Sequence, residues 1–385
     1  MRKLFHFTVL ALVSLGLMNQ PTQAKEKPQP TKTTQPSVEL AILLDTSGSM
    51  QGLINQARSQ LWKIVNELAT AKQNGQVPVM KVALYEYGKS SLPASEGYMR
   101  QIMPLTENLD QLSEELFALK TNGGEEYCGH VIQAATNGLK WSDSDKSLKL
   151  IFIAGNEPFT QGKVDFKVAC PAAIKKGITI NTIFCGPEQT GIQTGWKEGA
   201  LLADGSFLSI NHGVQVVTPK TPYDRKLSEL SRSINKTYLF YGSQKAKNES
   251  SASQLSADGL AGQSSPASSA DRAAFKGSGR YRVKADLIDA IAGKKVKLQE
   301  LKQEELPAEL KKLTKKEQTA YIEKKQKERK AIQLQIQELT KKRNKFIADE
   351  MKKQQNQKKE TTFDTAVIKA LKSQAVKKNF QFQSE

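Results

Sequence analysis

Histidine, cysteine and tryptophan are each present only three times in this chain of 385 residues. Three thiols cannot complete a zinc site made of four cysteines. Around the lysine runs of the C-terminal region, Tyr321, Phe346 and a few other aromatic residues are too sparse for the stacking platforms that single-stranded nucleic acids need. Long apolar runs are also lacking. The one candidate, "LFHFTVLALVSLGLM", has 15 residues, short of the roughly 20 that span a bilayer. There is no internal repeat, no pair of carboxylates spaced for acid–base work and no complete nucleophile motif. Cys128 and His130, two apart in "YCGH", would face different directions on a helix. An enzyme is therefore not expected.

The short apolar run does have the marks of an export signal. It follows the basic start "MRK" and precedes the small residues before Lys25. Residues 1–24 are read as a signal peptide cut after Ala24. No cysteine lies near the cut, so a lipid anchor is not expected. The mature protein is expected outside the cytosol, periplasmic, secreted or associated with the cell envelope. In that setting one pair of Cys128, Cys170 and Cys185 can oxidise. In an alternating sheet the helix starting near Tyr127 and the helix holding Cys170 are expected on the same face, so Cys128–Cys170 is the preferred pair and Cys170–Cys185 the next.

Charge is unevenly spread over a total of +18. Residues 38–279 are balanced, with 24 Lys and Arg against 23 Asp and Glu, whereas residues 280–385 carry 28 against 15. Residues 25–37, rich in Pro and Thr, read as an extended tether. From 38 to 242, apolar strands alternate with amphipathic helices, the pattern of a mostly parallel sheet covered on both faces. Expected strands are 38–44, 77–87, 97–105 at an edge, 148–154, 177–185 and 205–210. Expected helices are 53–68, 109–119, 127–141, 165–176 (broken or kinked at Pro171) and 222–239. Residues 243–280, rich in Ser, Ala and Gly, read as a flexible linker.

Residues 281–385 read as a basic helical region. Ile332, Ile336, Leu339 and Phe346 offer a short heptad seam for a coiled-coil oligomer, interrupted by Arg343. Its lysines, with Arg329 and Arg343, are expected to be spread round the helix and to meet an anionic envelope surface diffusely.

The chemistry is concentrated in "LAILLDTSGSM", residues 40–50. In an open parallel sheet, ligands sit beyond the carboxyl ends of the strands. Asp45, Ser47 and Ser49 follow a strand at alternate positions, and Gly48 lets the turn tighten. One carboxylate and two hydroxyls suit a hard cation that keeps several of its waters.

Asp45-Thr46-Ser47-Gly48-Ser49-Met50 matches the Asp-x-Ser-x-Ser motif of von Willebrand factor type A domains, and the order of strands and helices over 38–240 resembles that family. "NGGEEYCG", "IFIAGNEPFTQG" and "NTIFCG" resemble a little-characterised group of exported bacterial proteins carrying this domain. The resemblance implies a Rossmann-like, doubly wound sheet followed here by a linker and a basic all-α region. It also implies a metal-ion-dependent adhesion site holding Mg²⁺, or Mn²⁺ or Ca²⁺, whose open position accepts a carboxylate from a protein partner. Two features depart from the family. Its Thr position aligns near Glu126, with Thr121 upstream, and its second Asp is replaced in Ala154-Gly155-Asn156-Glu157-Pro158. The expected ligand set is therefore Asp45, Ser47, Ser49 and Asn156 with one of Thr121, Glu125 or Glu126. The alternative is a structural envelope protein with a degenerate metal site, whose tail oligomerises or binds an anionic surface.

Overall fold

The computed structural model describes residues 35–211, 213, 218–353 and 362–382. The signal segment 1–24 and the tether up to residue 34 lie outside them. The elements follow in chain order. β1 (Ser37–Asp45) leads through a short turn to α1 (Gln51–Ala69), β2 (Ala71–Gln73), β3 (Val79–Tyr87), β4 (Met99–Thr106), α2 (Leu109–Ala118), α3 (Cys128–Gly138) and β5 (Leu148–Gly155). Then come α4 (Phe166–Lys175), β6 (Ile178–Cys185), α5 (Glu188–Gln193), α6 (Trp196–Leu201), β7 (Phe207–Ile210) and α7 (Asp224–Asn235). Beyond them lie α8 (Gln244–Ser264), α9 (Pro266–Gly277), α10 (Leu287–Ala292), α11 (Lys315–Lys353), α12 (Phe363–Lys377) and β8 (Phe380–Phe382).

The main sheet has the order β4-β3-β1-β5-β6-β7 and is parallel except for β4, the antiparallel edge strand. β1 lies between β3 and β5, where the strand order reverses. Its near-continuous apolar sequence serves two cores, as a strand covered on both sides requires. Leu40 and Leu44 join the layer of α1, and Ala41 and Leu43 join that of α3 and α4. α1 turns its stripe of Leu53, Ile54, Ala57, Leu61, Ile64, Val65 and Leu68 inward. α4 runs through Pro171 without ending there; Ala169, Cys170 and Ala173 are buried around it.

Beyond residue 242 the structure differs from the sequence expectation. The proposed linker, 243–280, forms α8 and α9. Ser243 caps α8 by accepting the Ala246 N–H, and Ser265 caps α9 with Pro266 in its first turn. Ala257, Ala261, Ala270 and Ala273 are buried. Small side chains here allow close helix packing rather than chain freedom. At the crossing with α11, a Cβ on Gly277 would lie 2.3 Å from Ile336 Cγ2. α12 then buries Phe363, Val367, Ala370 and Leu371 in the same core as β1 and α1, and β8 pairs with β2. The segment 38–242 does not close its own core.

Buried arginines fasten this C-terminal region. Arg329 of α11 meets both carboxylate oxygens of Asp286 at 2.8 and 3.0 Å, donates to Thr237, and lies 4.0 Å over the Tyr238 ring. Arg343 bridges Asp224 of α7 at 2.8 Å and Asp271 of α9 at 2.7 Å. Arg272 reaches Asp110 and Asp258 and stands 4.3 and 4.6 Å over Trp62 and Tyr281. The expected oligomer seam is used within the chain. Ile336 is fully buried, Ile332 and Leu339 pack against the core, and Phe346 meets Tyr223 edge-on. Among the described residues, no helix is long and apolar enough to cross a membrane.

Truncation after Gly242 should therefore abolish cooperative unfolding, because it uncovers the core that α9 and α12 close. Arg343→Ala in the full chain should lose about 3–5 kcal/mol by leaving the buried Asp224 and the partly buried Asp271 without their guanidinium counter-charge, while Arg343→Met should lose less. Urea titration followed by circular dichroism measures both.

Candidate metal centre

Asp45 ends β1 opposite Tyr87 and is fully buried. Its Oδ1 accepts the Ser47 N–H at 2.7 Å, closing the turn. Its Oδ2 is buried with no hydrogen-bond partner. The Ser47 and Ser49 hydroxyls lie 3.3 Å apart, and Ser49 Oγ donates to Asn156 Oδ1 at 3.3 Å. Asn156 stands in the loop after β5, so the carboxyl ends of two neighbouring strands bring these four residues together. The loop before α3 joins them through Thr46, whose carbonyl accepts the Asn122 N–H.

That loop supplies Glu126, a buried residue beside Asp45 whose backbone N–H donates to Gln161 Oε1 at 3.2 Å. Gly88, with φ of +80°, fits beside both acids. A Cβ there would lie 2.6 Å from Asp45 Oδ1 and 2.9 Å from Glu126 Cγ, so only glycine is accommodated. Glu125 is exposed, and the Thr121 hydroxyl donates to Gln51 Oε1 at 3.1 Å. Glu157, which follows Asn156, is a further acid near this place. Its charge acts on both Asp45 and Glu126. The available signal was its position, next to the Asn that replaces the family's Asp.

The electrostatics are unfavourable without a cation. Burial pushes the Asp45 carboxyl up to about 8, with Glu126 and Glu157 adding to the rise. Burial, then Glu157, pushes Glu126 up to about 7. Elsewhere the buried acids are matched with bases. Glu39 meets Lys81, Glu86 meets Arg100, Asp110 meets Arg272, Asp224 meets Arg343, Asp286 meets Arg329 and Asp364 meets Lys63. Among the described residues, Asp45 and Glu126 are the buried carboxylates that no Lys or Arg approaches. No group of three or more His, Cys, Asp or Glu there could by itself hold a metal ion. An ion in this place would depend on the serine hydroxyls as well as on the acids, and a hard divalent cation fits that donor set.

The cysteines lie beneath this edge. All three are buried free thiols, so neither Cys128–Cys170 nor Cys170–Cys185 is formed. Cys128 Sγ instead lies 3.8 Å from the Tyr87 hydroxyl, and Cys185 Sγ lies against the Ile183 carbonyl. Burial pushes the Cys128 and Cys185 thiols well up and Cys170 to about 12. His130 lies tilted against Tyr127, with ring centroids 5.3 Å apart.

The model of the von Willebrand factor type A domain matches residues 39–191. Comparison with curated proteins gives no match. Among solved structures, BatB from Bacteroides thetaiotaomicron is 16% identical, with 45% of this chain and 90% of that one covered and a TM-score of 0.35. An aerotolerance-related membrane protein from Bacteroides fragilis is also 16% identical, with 46% and 93% covered and a TM-score of 0.32. PTMP1 from the mussel byssus, there with a zinc-occupied MIDAS motif, is 9% identical, with 46% and 42% covered and a TM-score of 0.33.

The two unmatched acids set a pH dependence. Both have folded-state values above their usual 3.8 and 4.5, so the folded protein holds more protons than the unfolded chain across that window. Stability in chelator should therefore fall as pH rises from about 4 to 8. Asp45→Asn should flatten that slope and raise the melting temperature at the alkaline end, as measured by calorimetry in EDTA across pH.

Proposed function

We propose, on the premise that residues 39–191 form a von Willebrand factor type A domain, that this chain is a protein-binding module working through a divalent ion at the end of β1. That family generally supplies interaction modules rather than enzymes. The reading rests chiefly on one observation: Asp45 and Glu126 lie buried side by side without a counter-charge, in a protein that pairs its other buried acids.

Asp45, Ser47 and Ser49 would hold the ion, with Glu126 supplying the second negative charge and Asn156 a neutral oxygen. Thr121 and Glu125 stand at its margin. Mg²⁺ suits the hydroxyl-rich set, and Mn²⁺ or Ca²⁺ could replace it. When bound, the ion supplies positive charge that a carboxylate of a partner protein can approach. The chain's own residues fix the geometry: Gly88 leaves room for the acids, and the Ser47 N–H orients Asp45. The apolar run before Lys25 supports a reading in which this activity is exported, periplasmic, secreted or at the envelope.

Millimolar Mg²⁺ or Mn²⁺ should raise the melting temperature, because a ligand bound only by the folded state stabilises it by about 2.7 kcal/mol at a hundred times its Kd. Asp45→Ala should remove the response, and Ser47→Ala with Ser49→Ala should weaken it. A wild-type melting curve that is the same with each of these ions and with EDTA would leave a metal-free turn in a structural envelope protein.

A further inference from the structure

The rotation of α11 is fixed by its inner side. Ile322, Arg329, Ile336 and Arg343 recur at seven-residue intervals and are all buried. The arginines are held by the acids and threonine described above, and Ile336 is pressed against Gly277. With both arginines turned inward, the remaining basic residues sort by position.

At about 100° per residue, Lys316, Lys327, Lys330, Lys341, Lys345 and Lys352 fall within about 60° of one another, opposite the buried row. All six are exposed, and none has an ion-pair partner among the described residues. Two acids share the face, Glu323 and Glu338, and Glu338 accepts a hydrogen bond from Lys342. The lysines form a straight ridge about 54 Å long at 1.5 Å per residue. Leu334 stands in its middle, 54% exposed. Lys315, Lys324, Lys325, Lys342 and Lys353 lie off this face, so the expected spread of charge round the helix is kept, with one denser side.

We propose that this face docks on an anionic lipid bilayer surface. A long convex ridge matches a plane. Lysine stems can lie along the interface while their ammonium groups meet headgroup phosphates. Leu334 adds an apolar side chain that gains by entering the headgroup boundary, which a soluble polyanion would not reward. Residues 38–279 are nearly neutral, and residues 315–353, with 13 Lys and Arg against 6 Asp and Glu, carry about half of the positive excess of residues 280–385.

The test uses the chain from Lys25 onward, which keeps the whole compact unit Gln35–Glu385. Co-sedimentation is measured with vesicles of phosphatidylcholine alone and with about 30% phosphatidylglycerol. Binding is expected only to the anionic vesicles, and it should weaken as salt shortens the screening length from about 10 Å at 0.1 M to 3 Å at 1 M. The combined variant Lys327→Gln, Lys330→Gln, Lys341→Gln and Lys345→Gln should lose at least about a hundredfold in affinity. A variant with the same charge change elsewhere, Lys120→Gln, Lys140→Gln, Lys197→Gln and Lys284→Gln, should lose far less. Leu334→Ser should weaken vesicle binding while leaving binding of free polyphosphate unchanged. All these sites are exposed, so melting temperatures should be unaltered. The proposal is overturned by equal losses in the two lysine variants, by no binding to anionic vesicles, or by Leu334→Ser having no effect on them.

Discussion

A parallel sheet whose strands are apolar on both sides has no stable form with either side in water, and the way this chain covers its sheet shapes nearly everything beyond residue 220. One side is covered from within the central segment, by α3, α4 and α6. The other receives α1 and then depends on helices that arrive much later. Phe363, Val367 and Leu371 pack with Leu40, Leu150 and Phe152. Short connections within the first half of the chain do not supply enough apolar surface for that second layer. The C-terminal region is therefore part of the sheet's own packing, not a tail attached to a finished domain.

Docking a strongly basic region on a neutral domain creates a difficulty, which the arginines resolve. A buried guanidinium is tolerated only when its donors are satisfied and its charge is met. Arg329 takes a bidentate carboxylate, a threonine and an aromatic face; Arg343 takes carboxylates from two different helices. Such sites fit in one register only, so they specify how α11 lies as well as holding it there. Lysine would not serve as well, since it lacks the planar fork that reaches two partners at once. The division of the basic residues follows from this: arginines inward at heptad spacing, lysines outward.

The legibility of the sequence tracks the kind of packing at each place. Strands and helices over 38–240 were readable because the strands are nearly unbroken apolar runs and the helices repeat large apolar side chains with period 3.6. The turn at Asp45 was readable because its oxygens alternate along six residues. Residues 243–280 were misread because hydropathy measures side-chain size as much as burial: Ala257, Ala261 and Ala270 bury little area, yet they let helices approach closely. Arg343 was read as a fault in a seam, whereas it is one of the seam's fixed points. The acids that answer it, Asp224 and Asp271, lie about 120 and 70 residues away, beyond any local pattern. Glu157 and the separation of the three thiols likewise depend on which loops the fold brings together.

The placement of Asp45 can be weighed against these other buried acids. Its Oδ1 closes the turn by accepting the Ser47 N–H, a task that the neutral oxygen of an asparagine performs as well. The negative charge adds nothing to the turn, and burial penalises it. Where this protein buries an acid for structure, at Asp110, Asp224, Asp286 and Asp364, it brings a base to meet it. At the end of β1 it does the reverse. It sets a second acid beside the first, leaves Oδ2 unpartnered, and keeps Gly88 where any side chain would displace both. Uncompensated charge of this kind persists where something other than folding selects it. A cation from solution is the counter-charge that the chain itself does not provide.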